Sequence, residues 1–240
     1  MRDLLDVLLL VAATAPAVAL GLWWAGPQRR ASAGALFLAL LALDGVATSL
    51  PPALGLNPAG AHWNWIGKAL SIAWALAFVG IARVPRERVG LTWRQRSGSV
   101  LPAVLFTASL LIISALLLRE PKRPDAETLL YEATLPGMAE ELAFRGVFLM
   151  LLERAFGASE EGWGGGAPWA GGVTALAFGL WHGLAWSAGH VTFDAGAFFF
   201  PALGGVAFWW LRQRTGSLVF PIVAHNGANL ATYTWVMLSR

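Results

Sequence analysis

The sequence predicts an all-α, polytopic membrane protein of about eight transmembrane helices. Three observations predict it. The 240 residues are 57% hydrophobic and only 13% charged, whereas a soluble domain is about 45–50% apolar and about 25% charged. Mean hydropathy is +0.59. The apolar residues fall into eight runs separated by short loops. Eight spans of about 20 residues would use roughly 160 positions, so the length suits a single integral-membrane domain over residues 1–240. This composition excludes an ordinary soluble globule and a disordered chain. The chain has no cysteine, which excludes disulfides, thiolate zinc sites, Fe–S clusters and a cysteine nucleophile. Its net charge of +3 does not imply a nucleic-acid partner. The basic residues sit in loops between apolar runs, which is the pattern of membrane topology.

The eight runs lie at about 4–24, 33–53, 63–82, 99–118, 128–152, 170–187, 195–211 and 217–238. The first resembles a signal peptide at Ala15-Pro16-Ala17 and Ala17-Val18-Ala19, but it continues to Trp24, and Asp3 and Asp6 dilute its basic end. It is read as an uncleaved span. Ten of the 17 Lys and Arg residues fall in loops on one side, among them Arg83, Arg86, Arg88, Arg94 and Arg96. Five fall on the other: Arg2, Arg119, Lys122, Arg123 and Arg240. The ten-charge side is expected to be cytoplasmic. Residues 120–135 are the weak point, because Pro121, Pro124 and Pro136 interrupt that region. They allow an interfacial helix leading into a span that starts near Pro136. The expected location is a cell membrane, multi-pass, in a bacterial inner membrane.

An ionisable group in hydrocarbon costs about 2.5–3.5 kcal/mol on insertion scales, so each one needs a reason. Asp44, Lys68, Glu132, Glu140, Glu141, Arg145, His182 and His225 fall inside the runs. Five of them form three short patterns. In Glu140-Glu141-Leu142-Ala143-Phe144-Arg145, Glu141 and Arg145 are an i, i+4 pair with the acid N-terminal, the better order for a helical ion pair. That leaves Glu140 without a local partner and suited to act as a general base. A structural reading competes: two carboxylates favoured by the dipole near a helix start after Pro136-Gly137. In Phe178-Gly179-Leu180-Trp181-His182, Phe178 and His182 share a face, though a lone histidine in an aromatic span is often structural. In His225-Asn226-Gly227-Ala228-Asn229, His225 and Asn229 share a face and either could donate to an oxyanion. Interhelical hydrogen bonding is the competing account. Together the three patterns supply what amide hydrolysis needs: a group to take a proton from water, and groups to hold the oxyanion.

Other positions are read structurally. Asp44 is expected to bond Thr48 or a neighbouring helix, and Lys68 to snorkel to the interface. Ser187 is read as a helix-end residue, and His190 and Asp194 as a solvated loop that could gate a cavity. Trp23, Trp24, Trp63, Trp65, Trp209, Trp210 and Trp235 are read as interfacial anchors. No His-Glu-x-x-His, Gly-x-Gly-Asp or Gly-x-Ser-Gly pattern, the marks of zinc, aspartyl and serine intramembrane proteases, is present.

Glu-Glu-x-x-x-Arg, Phe-x-x-x-His and His-x-x-x-Asn, in this order on successive hydrophobic segments over about residues 137–232, resemble the CAAX-processing and bacteriocin-processing (CPBP, or Abi) intramembrane proteases. The resemblance implies an eight-helix fold with its motif-bearing half at about 120–240. It also implies a glutamate-dependent endopeptidase. In that reading Glu140 and His182 activate water, His225 and Asn229 stabilise the oxyanion, and Glu141, Arg145 and Phe178 support the site. No cofactor is expected, and a zinc ion held by Glu140, His182 and His225 is the alternative. The expected partners are the lipid bilayer and a peptide or protein substrate with a hydrophobic tail, as in a myxosortase-like branch, with no nucleic acid. Two rival functions remain: a non-catalytic bacteriocin-immunity or binding protein of the same fold, and a transporter whose charges line an ion path.

Overall fold

The computed structural model describes residues 4–158 and 165–239; Arg2, Asp3 and Arg240, counted above, lie outside them. Helices dominate. They are α1 (Leu4–Ala25), α2 (Ala31–Ala53), α3 (Trp65–Ile81), α4 (Val100–Leu117), α5 (Ala126–Glu141), α6 (Leu149–Ala155), α7 (Ala167–Gly183), α8 (Ala195–Thr215), α9 (Val219–Ala231) and α10 (Thr234–Leu238). A 3-10 turn, Gly26–Gln28, extends α1, and a π-helical stretch, Leu142–Phe148, joins α5 to α6 without a break. Each of the eight expected runs is therefore helical over most of its length. By length and composition three helices can cross a membrane: Leu4–Gln28, Ala31–Ala53 and Val100–Leu117, with Trp65–Ile81 as a shorter apolar helix. The remaining runs fall short for physical reasons. The α5 helix is 16 residues long and rich in carboxylates, α9 has 13 residues, and α8 ends in Arg212 and Arg214.

Two boundaries differ from expectation. The run at 170–187 is helical only to Gly183; Leu184–Ser187 and His190–Phe193 then form an antiparallel hairpin, β1 and β2. Ser187 thus belongs to a strand and not to a helix end, so the fold is not wholly α. The two-residue turn has φ of 51° at Ala188 and 83° at Gly189, the positive angles that match the twist of a tight hairpin. Buried Asp6 of α1 accepts the Trp186 backbone N–H and fastens β1 to the first helix. The second difference is at 120–135. The helix begins at Ala126, where Asp125 caps it by accepting the Thr128 N–H at 2.8 Å, and it runs through Pro136. That backbone hydrogen bond is the main reason the Asp125 carboxyl lies below its usual range. A lowered folded-state value means the stabilisation is present above the ordinary aspartate range and is lost as pH falls through it. Asp125→Asn should keep the cap and flatten the acid limb of thermal stability below about pH 4; an unchanged limb would count against this cap.

A proline inside α5 costs backbone bonds, and the structure supplies replacements. Asn226 of α9 inserts its carboxamide into the ladder: its Oδ1 accepts the Gly137 N–H at 2.7 Å, and its Nδ2 donates to the Ala133 and Thr134 carbonyls at 3.1 Å each. Gly137 N–H and Ala133 C=O would otherwise bond each other. Gly137 leaves room for this, since a Cβ there would sit 2.5 Å from Asn226 Oδ1. Asn226→Ala should therefore strand buried backbone groups and cost about 2–4 kcal/mol, at about 1–3 kcal/mol per unsatisfied group. Thermal unfolding in detergent measures this; a loss below about 1 kcal/mol would mean the helix re-closes its own ladder.

The π-helical stretch is the centre of the core, with all seven residues buried. A π turn inserts an extra residue into the helical repeat. Phe144 and Phe148 lie edge-on to each other at 5.2 Å, Phe148 meets Phe37 of α2 at 5.4 Å, and Phe144 meets Phe178 of α7 at 5.0 Å. Such edge-to-face pairs add about 0.5–1.5 kcal/mol beyond burial. On the outer side of α7, Gly179 and Gly183 let α8 approach closely: a Cβ at these positions would lie 2.8 Å from Ala202 Cβ and 2.6 Å from Phe198 Cβ. This small-xxx-small spacing is a recurrent membrane packing device, and it brackets His182.

Several tryptophans serve packing more than anchoring. Trp23 and Trp24 are exposed, as expected of interfacial anchors. Trp63, in contrast, stacks on Tyr131 at 4.9 Å and donates to Thr128 Oγ1, and Trp65 Nε1 donates to Glu127. Trp235 Nε1 donates to the Ala115 carbonyl.

Candidate active site

The carboxylate pair sits on the last turn of α5, immediately before the π-helical stretch. Glu141 is fully buried and uses one oxygen twice: Oε1 accepts from Arg145 Nη1 at 3.0 Å and from His225 Nδ1 at 2.8 Å. The expected Glu141–Arg145 pair is present, and the imidazole is an addition the spacing did not reveal. Arg145 is completely buried, with its guanidinium 4.4 Å over the Phe178 ring. A cation over an aromatic face gains from the ring quadrupole where water is absent. Gly205 of α8 makes room, since a Cβ there would lie 2.9 Å from Arg145 Nη2.

Glu140 has a partner that local spacing could not show. Lys68 of α3, 72 residues earlier, donates to Glu140 Oε1. The expectation that Lys68 snorkels to the interface is therefore corrected: its side chain is buried beside the carboxylate. A buried ammonium is retained when a carboxylate faces it, because either charge alone in a low dielectric is far costlier than the pair. The other oxygen, Glu140 Oε2, lies 3.7 Å from His225 Nε2 and accepts no hydrogen bond among the described residues.

The two histidines are oriented by groups that fix their tautomers. A carbonyl can only accept, so His182 Nδ1–H donates to Phe178 O at 2.8 Å, which makes Nε2 the acceptor nitrogen of the neutral ring. His182 acts electrostatically on Glu140. His225 Nδ1–H donates to Glu141, which directs Nε2 toward Glu140. Phe208 of α8 stacks on His225 with an 11° interplanar angle, and Phe178 lies 4.8 Å from the His182 ring and 5.9 Å from that of His225. Phe178 thus touches Arg145 and both imidazoles.

Asn229 donates Nδ2 to Glu132 Oε2 at 2.7 Å. An amide nitrogen carries two protons, and this bond uses one. The residues singled out from the sequence lie on α5, α9, α7 and the π-helical stretch, where α5 packs on α9 and α7 packs on the π-helical stretch, and Lys68, Glu132 and Asn226 join them. Glu132 had been noted as a charge in a span without a role. Asp44 is separate: it accepts from Ser71 and Trp74 of α3, while Thr48 bonds its backbone carbonyl. The neighbouring-helix expectation for Asp44 holds, and the Thr48 bond goes to main chain.

Asp194 accepts the Ala197 N–H and caps α8, and exposed His190 opens β2. A metal-compatible set of a different kind lies at the head of α5. Ligand atoms of His62, Asp125 and Glu127 fall within 4.8 Å of one another, beside a shallow cavity of about 310 Å³ lined by Pro58, Ala59, Gly60, Ala61, Trp65 and Glu127. Glu127 is already committed there. It accepts from the His62 and Trp63 amides and from Trp65 Nε1, tying the 54–64 loop to α5.

Residues 124–231 match the family model described as type II CAAX prenyl endopeptidase Rce1-like. No curated protein and no solved structure matches the chain. The matched stretch contains both glutamates, Arg145, Phe178, both histidines and Asn229, and it begins one residue before the Asp125 cap of α5. Over these residues, a little under half of the chain, the sequence is similar to that CAAX endopeptidase family.

Proposed function

We propose that the chain is an intramembrane endopeptidase that hydrolyses a peptide bond with water activated by Glu140. The observation that carries this reading is the state of that carboxylate. One oxygen is tied to Lys68, while the other is buried, faces His225 Nε2 and has no hydrogen-bond donor among the described residues. A buried carboxylate oxygen requires a donor, and a water between Glu140 and His182 would be both donor and nucleophile. Glu140 Oε2 takes the proton as the water oxygen attacks the substrate carbonyl carbon. The carbonyl electron pair moves to oxygen, where His225 and Asn229 hold the charge. The proton then passes to the leaving nitrogen as the C–N bond breaks. Because His225 Nδ1–H is committed to Glu141, Nε2 donates to the oxyanion when the ring is doubly protonated, with Glu141 as its counter-charge.

No metal is required in this scheme. The Lys68 ammonium occupies the carboxylate oxygen a cation would seek and supplies positive charge there. Glu141 also orients His225, as a carboxylate behind a metal-bound imidazole would. The preference therefore rests on Lys68 and on Asn229, an amide suited to oxyanion donation. The eight helical runs are read as eight crossings of a bacterial inner membrane, and the 1–240 chain as one membrane domain. The substrate class is a peptide or protein with an apolar C-terminal tail, as a sorting tail would present; assigning that tail class rests on analogy.

The test is hydrolysis by the purified chain in liposomes of internally quenched peptides, each ending in an apolar helical tail. Cleavage is expected. His225→Ala and Asn229→Ala should each lower kcat about 10²–10³-fold, the range for one oxyanion donor. Absence of cleavage by the wild type would favour a non-catalytic binding protein on the same fold.

A further inference from the structure

We propose that Lys68, contributed by the half of the chain outside the family match, is a positioning residue for the reaction: it holds Glu140 Oε1 so that Oε2 meets the water. The inference rests on the reading of Glu140 as the general base. Four observations carry it. Lys68 donates to one oxygen of Glu140 and leaves the other without a donor among the described residues. A carboxylate on a helix rotates about its terminal bond over a broad range, so fixing one oxygen fixes the direction of the other. Both partners are buried, so the pair is not a surface contact of the kind that contributes little.

The third observation concerns α3, which is fastened on both sides of Lys68. Asn64 caps the helix by accepting the Gly67 N–H at 3.0 Å and donates to the Thr48 carbonyl of α2 at 2.7 Å. One turn after Lys68, Ser71 donates to Asp44 of α2, and Trp74 Nε1 donates to the same oxygen. Gly67 is required for this fit, since a Cβ would lie 2.7 Å from the Thr48 carbonyl oxygen. These bonds set the rotation and height of α3, and with them the position of the ammonium. The fourth observation is the contrast with Glu141, whose hydrogen bonds come from Arg145 and from His225 Nδ1. Lys68 thus serves Glu140 and Arg145 serves Glu141, with the His225 ring between the two carboxylates, and it is the Glu140 oxygen left by Lys68 that faces His225 Nε2. The other ionisable groups near Lys68 are Asp44, Tyr131 and Glu132; Asp44 is bonded to Ser71 and Trp74 and Glu132 to Asn229, so Glu140 is the carboxylate that Lys68 bonds.

The experiment uses the full chain in liposomes with the peptide that the wild type cleaves. Lys68→Met should lower kcat about 10²-fold, as expected when a reacting group is misplaced by about 1 Å, with KM within about twofold. Lys68→Arg, which keeps a cation facing Glu140, should retain at least about a tenth of wild-type kcat. Because Lys68→Met strands a buried carboxylate and can impair folding, Lys68→Ala is assayed with propylammonium, which returns an ammonium to the vacated space. A kcat that rises with the amine and not with propanol supports the proposal. Amine that raises thermal stability without raising kcat overturns it in favour of a purely structural pair, as does a Lys68→Met enzyme within twofold of wild-type kcat. Glu140→Gln is run alongside. If that variant is inactive and Lys68→Met is not impaired, the Lys68 proposal alone falls. If Glu140→Gln is active, or the wild type cleaves nothing, both fall.

Discussion

Glu140→Gln is expected to remove nearly all peptidase activity, by about 10⁴-fold, the upper end of the range for loss of a general base, while leaving the helical fold in place. Glutamine is nearly isosteric and can still accept from Lys68 through its amide oxygen, so Glu140 Oε1 has a serviceable replacement. The second position becomes an NH₂ group. It cannot take a proton from water, and it presents donors toward His225 Nε2 where the wild type presents an acceptor. The substitution also leaves the Lys68 ammonium buried without a carboxylate, so a moderate loss of stability accompanies the loss of chemistry. Thermal unfolding and kcat on the same preparation separate the two. Chelators should leave wild-type activity unchanged. Stoichiometric zinc, with activity lost to chelation and restored by zinc, would instead make Glu140, His182 and His225 its ligands.

Glu141→Gln is expected to do damage of two kinds. Arg145 is completely buried and Glu141 is its hydrogen-bonded carboxylate, so neutralising the acid leaves an uncompensated internal cation. Breaking a buried pair in this way costs about 3–5 kcal/mol. Stacking on Phe178 at 4.4 Å offsets a fraction of that. The i, i+4 spacing with Arg145 by itself predicts a larger loss of stability than of the chemical step. The Glu141–His225 bond changes that expectation, because the imidazole loses the acceptor that fixes its tautomer and balances its charge. A fall in kcat of about 10–100-fold is therefore expected as well, the range seen when a partner that orients an imidazole is removed. Wild-type stability with no activity would mean that the roles of the two glutamates are exchanged.

Much of the architecture was legible because helices and their motifs are local. The eight apolar runs correspond to helical segments within a few residues, since an apolar run of this length satisfies its own backbone hydrogen bonds as a helix. The i, i+4 pairs Glu141–Arg145 and Phe178–His182 were readable for the same reason: one helical turn sets both distance and direction. The hairpin at 184–193 was not readable. Its strands are four residues each, and its turn uses Ala188-Gly189 in place of the Asn-Gly or Asp-Gly that would have signalled it. Trp63 and Trp65 misled for a related reason, since their indole partners Thr128 and Glu127 lie more than sixty residues away.

What the sequence by itself determined is the set of chemical groups placed in the apolar runs and their spacing along single helices. What only the tertiary structure decided is which of those groups meet. Lys68 faces Glu140 across 72 residues of chain, Asn226 enters the α5 ladder at Gly137, Asn229 finds Glu132, and Glu141 serves Arg145 and His225 at once. The physical reason is that periodicity fixes the face on which a side chain lies, while the partner of that face is set by how helices pack. That packing depends on close approaches at residues such as Gly137, Gly179 and Gly205, and on the high cost of leaving any one of these charges buried alone in the protein interior.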